Sequence, residues 1–158
     1  DDFKKLMKTL QLNYSKAVNF DQTMTLMKRI ISFSDKRLAA FIANSFREIF
    51  SYLSIDTEIL MSSDIPKDNS LRGKDKILQI CEILGADTYY NAIGGQNLYD
   101  KKEFSEHGIV LNFVDTIPKV YSQLRTKEFV PYLSMIDVLM NNTKDEVNDL
   151  LDSFCVRY

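Results

Sequence analysis

All five glycines and all three prolines of this chain fall between positions 66 and 131. These two residue types are the strongest local interrupters of regular structure. The sequence on either side of that window is therefore free to run in uninterrupted helices, while the window itself must be divided into short elements joined by turns. A chain of 158 residues, 45% hydrophobic and 27% charged, buries enough surface for one real core. That composition argues against a disordered tail, a collagen-like chain or a disulfide mini-protein.

Residues 1–56 form a helical segment. Phe3, Leu6, Met7 and Leu10 sit at i, i+3, i+4 and i+7, and Met24, Met27 and Ile31 continue the spacing after Asp21, which predicts two amphipathic helices. Ser34 is the expected N-cap of a third, whose apolar stripe runs through Leu38, Phe41, Ile42, Phe46, Ile49, Phe50 and Leu53. From Thr57 the period changes, and residues 57–158 read as an α/β segment. A strand over Thr57–Asp64 is followed by a helix over Lys74–Leu84 that Gly85 stops. A second strand covers Thr88–Asn91. A short helix over Asp100–His107 has Asp100 and Glu103 in capping-box spacing and Gly108 as its stop, and a third strand covers Ile109–Val114. Thr143 with Glu146 opens a final helix carrying Val147, Leu150, Leu151 and Phe154. The expected fold is α/β: amphipathic N-terminal helices, then a β-α-β-α-β parallel-sheet unit, then a C-terminal helix, packed as one compact domain. Because it opens at Asp1 rather than Met, the chain is expected to be excerpted from a longer protein.

Twenty Lys and Arg against 22 Asp and Glu leave a formal charge of −2, with no basic excess to neutralise a phosphate backbone, so no nucleic-acid partner is expected. The halves differ: residues 1–56 carry +3 and the remainder −5. The longest aliphatic or aromatic run, Leu38 to Ala43, is far short of the ~18 residues of a membrane span. The chain therefore reads as cytoplasmic. Cys81 and Cys155 read as two reduced thiols, the first as core filler.

A metal site is not expected, since zinc needs clustered Cys and His and the chain has one His and two distant Cys. Gly73-Lys74 lacks the upstream glycine of a phosphate-binding loop and reads as a helix start. His107 sits beside a helix stop, where an imidazolium meets the helix C-terminus favourably. The informative stretch is Asn91-Ala92-Ile93-Gly94-Gly95-Gln96-Asn97-Leu98-Tyr99, which leaves a parallel strand and enters a helix. Ligands of open α/β sheets sit beyond the carboxyl ends of strands, and paired glycines let backbone amides approach a phosphate or carboxylate. The same glycines fit a tight turn equally well. Asp64, at the end of the preceding expected strand, is a candidate general base or acceptor for a sugar hydroxyl, or else the cap of the turn before Pro66. Five of the eight tyrosines lie within positions 89–132, flat surfaces with hydroxyl handles that suit a sugar or base and equally suit packing with one wet edge. Ser134 and Asp137 repeat the cap spacing at the head of a helix through Met140.

The run Gly85-Ala86-Asp87-Thr88-Tyr89-Tyr90-Asn91, with Gly94-Gly95, Leu98-Tyr99-Asp100, Tyr121-Ser122-Gln123 and Phe129-Val130-Pro131-Tyr132-Leu133-Ser134-Met135-Ile136-Asp137, resembles the WbqC-like family of bacterial proteins. The resemblance is read from the C-terminal part of the chain; the opening helices match more loosely. The family's N-terminal His-Gln-Pro and Tyr-x-Pro motifs have no counterpart here. The resemblance implies a role in O-antigen and related surface-polysaccharide biosynthesis, with transfer of glycine or another acyl group to an amino sugar as the activity. On that reading Gly94 and Gly95 cradle an anionic group, Tyr99 and Tyr121 contact sugar or base, and Asn91 and Gln123 read hydroxyls. Ser134 adds a substrate contact, and Asp64 or Asp137 takes the amine proton. The implied partners are a nucleotide- or lipid-linked amino sugar, an acyl donor, and a missing N-terminal half or a second copy; the cofactor is left open. The alternative is a non-catalytic ligand-binding or protein-interaction module, whose helical segment packs against a partner through an exposed apolar face.

Overall fold

The computed structural model describes residues 2–157, which divide into two compact units: residues 2–59 with 118–153, and residues 60–117 with 154–157.

The first unit is helical. The expected amphipathic pair forms as α1 (Asp2–Tyr14) and α2 (Phe20–Ser32), followed by α3 (Leu38–Leu53). Its core holds Leu26, Leu53 and, from the later part of the chain, residues of two short helices. These are α6 (Met135–Asn141) and α7 (Lys144–Leu151); Leu139, Met140 and Val147 are buried. Ser34 does not cap α3. Asp35 accepts the Arg37 backbone N–H at 3.0 Å and pairs with its guanidinium at 2.6 Å, and this local loop delays the helix until Leu38. Thr143 and Glu146 form the reciprocal capping box read from their spacing. Helix α6 is fixed from the far side by buried polar groups of α2 and the residue before it. Asn19 Nδ2 and Thr23 Oγ1 donate to the Leu139 carbonyl at 2.9 and 2.8 Å, and the Asn19 backbone N–H donates to Met140 O at 3.1 Å. These bonds satisfy groups that would otherwise be buried unpaired, and they hold the register of α6.

The second unit is a small mixed sheet with helices. Helix α4 (Gly73–Leu84) ends on Gly85 in the left-handed conformation (φ 64°), the expected stop. Strand β1 (Thr88–Ala92) leads through a 3₁₀ helix (Ile93–Leu98) into α5 (Lys101–Glu106), and β2 (Val110–Thr116) follows. Asp100 Oδ1 accepts the Glu103 N–H at 3.0 Å as the cap of α5. The sheet order is β1-β2-β3, with β1 and β2 parallel from Thr88↔Val110 to Ala92↔Val114. Leu78, Cys81, Phe104, Ile109, Leu111 and Phe113 form the core, so Cys81 is core filler, its thiol pushed up by burial.

Two expectations fail in this unit. Thr57–Asp64 forms no strand: the chain is irregular up to Met61 and then turns, with Asp64 N–H donating to Met61 O at 2.9 Å and Leu60 half exposed. The residues have strand chemistry, but a strand exists only as part of a ladder, and no neighbouring strand pairs with them. The expected final helix also stops early, at Leu151. Phe154–Arg157 instead forms β3, antiparallel to β2, where Phe113 to Thr116 pair with Arg157 to Phe154 and Arg157 meets Asp115 at 2.7 Å. A β-branched and aromatic stretch beside an open strand edge gains more from pairing than from one further helical turn. The sheet is therefore three-stranded and mixed, not a β-α-β-α-β parallel unit.

Candidate functional site

Asp137 lies in the first turn of α6 and is 6% exposed. Its two carboxylate oxygens collect four side-chain donors. Oδ1 accepts from the Tyr14 hydroxyl at 2.8 Å and from Asn141 Nδ2 at 3.1 Å. Oδ2 accepts from the Tyr121 hydroxyl at 2.7 Å and, more weakly, from Gln123 Nε2 at 3.4 Å. Donors from every side make up the coordination of an ionised carboxylate, which can only accept. All four donors are neutral: no cation pairs with Asp137 among the described residues. Tyr14 comes from the last turn of α1, Asn141 from one helical turn along α6, and Tyr121 and Gln123 from the connecting segment before α6. That segment is held by its own bonds. Gln123 Oε1 accepts the Val130 N–H at 2.8 Å, its Nε2 donates to Val130 O at 2.9 Å, and the Tyr121 and Phe129 rings meet edge-on at 5.3 Å.

Above the carboxylate opens a cleft of about 330 Å³ lined by Asn13, Tyr14, Gln123, Leu124, Arg125, Thr126, Val130, Leu133 and Asp137. A pocket with an apolar lining and a few convergent polar groups is the usual form of a small-molecule site. The phenols of Tyr14 and Tyr121 are each pushed up to about 12, first by burial and then by the hydrogen bond to Asp137. A folded value above the ordinary phenol value of 10.0 means that this contribution to stability is complete below pH 10 and lost as pH rises through about 12. Burial also pushes the Tyr89 phenol up to about 12, so ultraviolet titration should find three tyrosines ionising late, and Asp137→Asn should bring Tyr14 and Tyr121 down part of the way while leaving Tyr89 unchanged. Tyrosines that all ionise near pH 10 would contradict the geometry.

The other expected site residues, Ser134 excepted, belong to the second unit. Asn91, next to the end of β1, accepts the Ala92 N–H on its Oδ1 at 2.7 Å. Gly94 is exposed and Gly95 buried within the 3₁₀ helix, so the paired glycines form a closed turn of helix. A Cβ on Gly95 would lie 2.9 Å from Asn91 Nδ2, whereas one on Gly94 would meet nothing within 4 Å. Gly95→Ala should thus cost about 1 kcal/mol by displacing Asn91 from its bond, and Gly94→Ala almost nothing; paired urea melts check the difference. Tyr99 packs edge-on against Phe104 at 5.7 Å and against Tyr89 at 6.0 Å, its ring in the core of the unit. Asp64 is exposed in its turn, its Oδ1 accepting from Ser63 Oγ at 3.1 Å. Ser134 Oγ accepts the Ile136 N–H at 3.2 Å as the cap of α6. His107 Nδ1 lies 2.6 Å from Glu82 Oε1 at the surface.

Of the expected site residues, Tyr121, Gln123 and Asp137 are brought together, with Ser134 capping the helix that carries Asp137. Tyr14, Arg125 and Asn141 were not foreseen. Asn141 had a local signal, since i+4 from Asp137 places it on the same helix face; Tyr14, 123 residues away, had none. Among the described residues no three His, Cys, Asp or Glu gather to hold a metal, and no helix is long and apolar enough to cross a membrane.

No curated protein matches the chain, and no solved structure does. The model of the WbqC-like protein family matches residues 1–149. That span takes in the opening helices as well as the second half from which the resemblance was read, and it includes every residue around Asp137 and the whole of the Gly94–Gly95 turn. With almost the full length matched, the chain belongs to the WbqC-like protein family.

Proposed function

We propose that this chain serves bacterial surface-polysaccharide biosynthesis, O-antigen included, by binding an amino sugar in the Asp137 cleft for transfer of a glycyl or other acyl group to its amine. The observation that carries the reading is a buried carboxylate held only by neutral donors at the base of a sugar-sized cleft. Burying an anion without a counter-charge is costly. A ligand ammonium supplies the missing charge, so the site favours an amine over an amide or hydroxyl of the same shape.

The chemistry follows from the same arrangement. The bound ammonium must lose a proton to free the nitrogen lone pair for attack, and Asp137 is the acceptor. Phenol rotors let Tyr14 or Tyr121 turn away as the oxygen takes it. The nitrogen then attacks the carbonyl carbon of an activated acyl donor. The new N–C bond forms as the bond to the leaving group breaks, and the leaving group departs with that electron pair and takes up the second proton from the nitrogen, which leaves a neutral amide. In this reading Gln123 and Tyr121 orient the sugar hydroxyls, and Ser134 keeps Asp137 in place through its cap. A thermal-shift panel of glucosamine, galactosamine and their N-acetyl forms tests the binding step, since a ligand bound only by the folded state raises its melting temperature. The amines should stabilise the protein and the acetamides should not; equal shifts, or none at millimolar concentration, would contradict the reading.

A protein-interaction module is favoured by one separate observation. Leu38, Ile42 and Phe46, spaced four apart on α3, are 75%, 43% and 50% exposed. A contiguous apolar stripe on a surface helix fits burial against a second copy or a partner. Sedimentation should then show self-association that Phe46→Glu abolishes; a monomer at all concentrations would leave the stripe without that role.

A further inference from the structure

Arg125 lines the same cleft as Asp137 and carries the opposite charge. Its backbone is left-handed, φ 61°, a conformation that side chains other than glycine rarely adopt. Such an outlier persists only where its surroundings fix it, and here they do so three ways. The segment is closed at its base by the paired Gln123–Val130 bonds. It is tightened inside by Thr126 and Glu128, whose N–H donates to Thr126 Oγ1 at 3.2 Å. The guanidinium itself is tied to the end of α1, Nη1 donating to Asn13 Oδ1 at 3.1 Å and Nη2 to Leu12 O at 2.7 Å.

Both anchors are neutral, and no carboxylate pairs with Arg125 among the described residues. A guanidinium has five N–H donors in a rigid fork. Two are used, so three remain on a cation whose position is already set. That is the preorganised form of a phosphate or carboxylate reader, because little rotamer freedom is left to lose on binding. The cleft thus offers an anion at its floor and a cation in its wall, neither neutralised by the other.

We propose that Arg125 is an anion-reading residue of this cleft and that the ligand is a zwitterion, an amino sugar bearing a phosphate ester. The inference rests on the amine site described above and deepens it by naming the substrate class. Asp137 takes the ammonium and Arg125 the phosphate. A capping role at the α1 terminus accounts for the two anchoring bonds, but not for a strained backbone that carries the fork into the lining of a cleft.

Calorimetric titration of the chain with glucosamine and with glucosamine 1-phosphate tests this. The phosphate should tighten binding by about tenfold or more, the range of a charge-assisted, two-point contact. Arg125→Gln should erase that preference while glucosamine still binds. Equal affinity for the two sugars in the wild-type protein overturns the proposal and leaves the amine site standing. A preference that survives Arg125→Gln also overturns it, and failure of both sugars to bind overturns the amine site with it. Should Arg125→Gln not fold, the Arg125 Nε–H resonance of the wild-type protein decides: it should move with glucosamine 1-phosphate and not with glucosamine, and a stationary resonance overturns the assignment. The uridine diphosphate and decyl phosphate esters of glucosamine share the phosphate; the tighter one identifies a nucleotide-linked or a lipid-linked source, and either supports the anion site.

Discussion

Asp137→Ala is expected to destabilise the first unit by about 3–5 kcal/mol and to abolish amine binding. The side chain is 6% exposed, and its removal strands the Tyr14 and Tyr121 hydroxyls with no acceptor, while Asn141 Nδ2 keeps only its 3.0 Å bond to the Asp137 backbone carbonyl. Each buried donor left unpaired costs about 1–3 kcal/mol, although the two share one cavity and will not add fully. Asp137→Asn keeps the volume and one acceptor oxygen but turns an N–H pair toward at least one donor, so it should cost about 1–2 kcal/mol and lose the charge that pairs with an amine. The single changes Tyr14→Phe and Tyr121→Phe should each cost about 1 kcal/mol. A double-mutant cycle between them should show coupling, since both act on one carboxylate. Urea unfolding measures all of these; an alanine variant within about 0.5 kcal/mol of the wild type would mean the network contributes nothing, the size of an ordinary surface change.

Phe104→Ala should destabilise the second unit by a similar amount, about 3–5 kcal/mol, the range for emptying a fully buried aromatic site. Phe104 is 0% exposed. Its ring stacks on Tyr89 and receives Tyr99 edge-on, each at 5.7 Å. It also closes α5 over β2, where its own carbonyl accepts the Ile109 N–H at 3.0 Å. Removing the ring leaves both tyrosines without their shared partner, so their geometry cannot relax into the space without opening the strand pair. Phe104→Leu, which refills most of the volume, should recover more than half of the loss. Hydrogen exchange is the sensitive readout: amides of β1 and β2 should lose protection in the alanine variant. Unchanged protection there would show that the aromatic trio is peripheral to the sheet.

The parts of the fold that were legible in the sequence are those set by local chemistry. The paired helices α1 and α2 follow from 3.6-residue spacing, α4 from its apolar face and the glycine that ends it, and α7 from Thr143 and Glu146. Each signal acts within a few residues, so nothing distant can overrule it. The failures share the opposite property. Thr57–Asp64 has strand chemistry and no strand to pair with, while Phe154–Arg157 has a helical position and an available edge on β2. Both outcomes were decided by the presence or absence of a ladder partner far away in sequence. Ser34 lost its cap role to a closer competitor, the Asp35–Arg37 pair.

The site divides in the same way. Asp137 was legible as a polar residue in a first helical turn, and Gln123 and Tyr121 as residues near it in sequence. What turns them into a site is Tyr14, brought from the other end of the chain, and the bonds from Asn19 and Thr23 that hold α6 in register. The paired glycines gave a strong local signal, and they serve the close approach of Asn91 to Gly95 within a 3₁₀ turn. The two are distinguishable only once the backbone is known, because glycine marks a conformational or steric need without stating which.

The central claim is that the buried, uncompensated carboxylate of Asp137 receives the ammonium of an amino sugar, and calorimetric titration of wild-type and Asp137→Asn protein with glucosamine tests it most directly. The account predicts measurable binding to the wild-type chain and a loss of at least about tenfold in the asparagine variant, as expected when a charge-assisted contact becomes a neutral one. Equal affinity in the two proteins, with the asparagine variant folded, would contradict it.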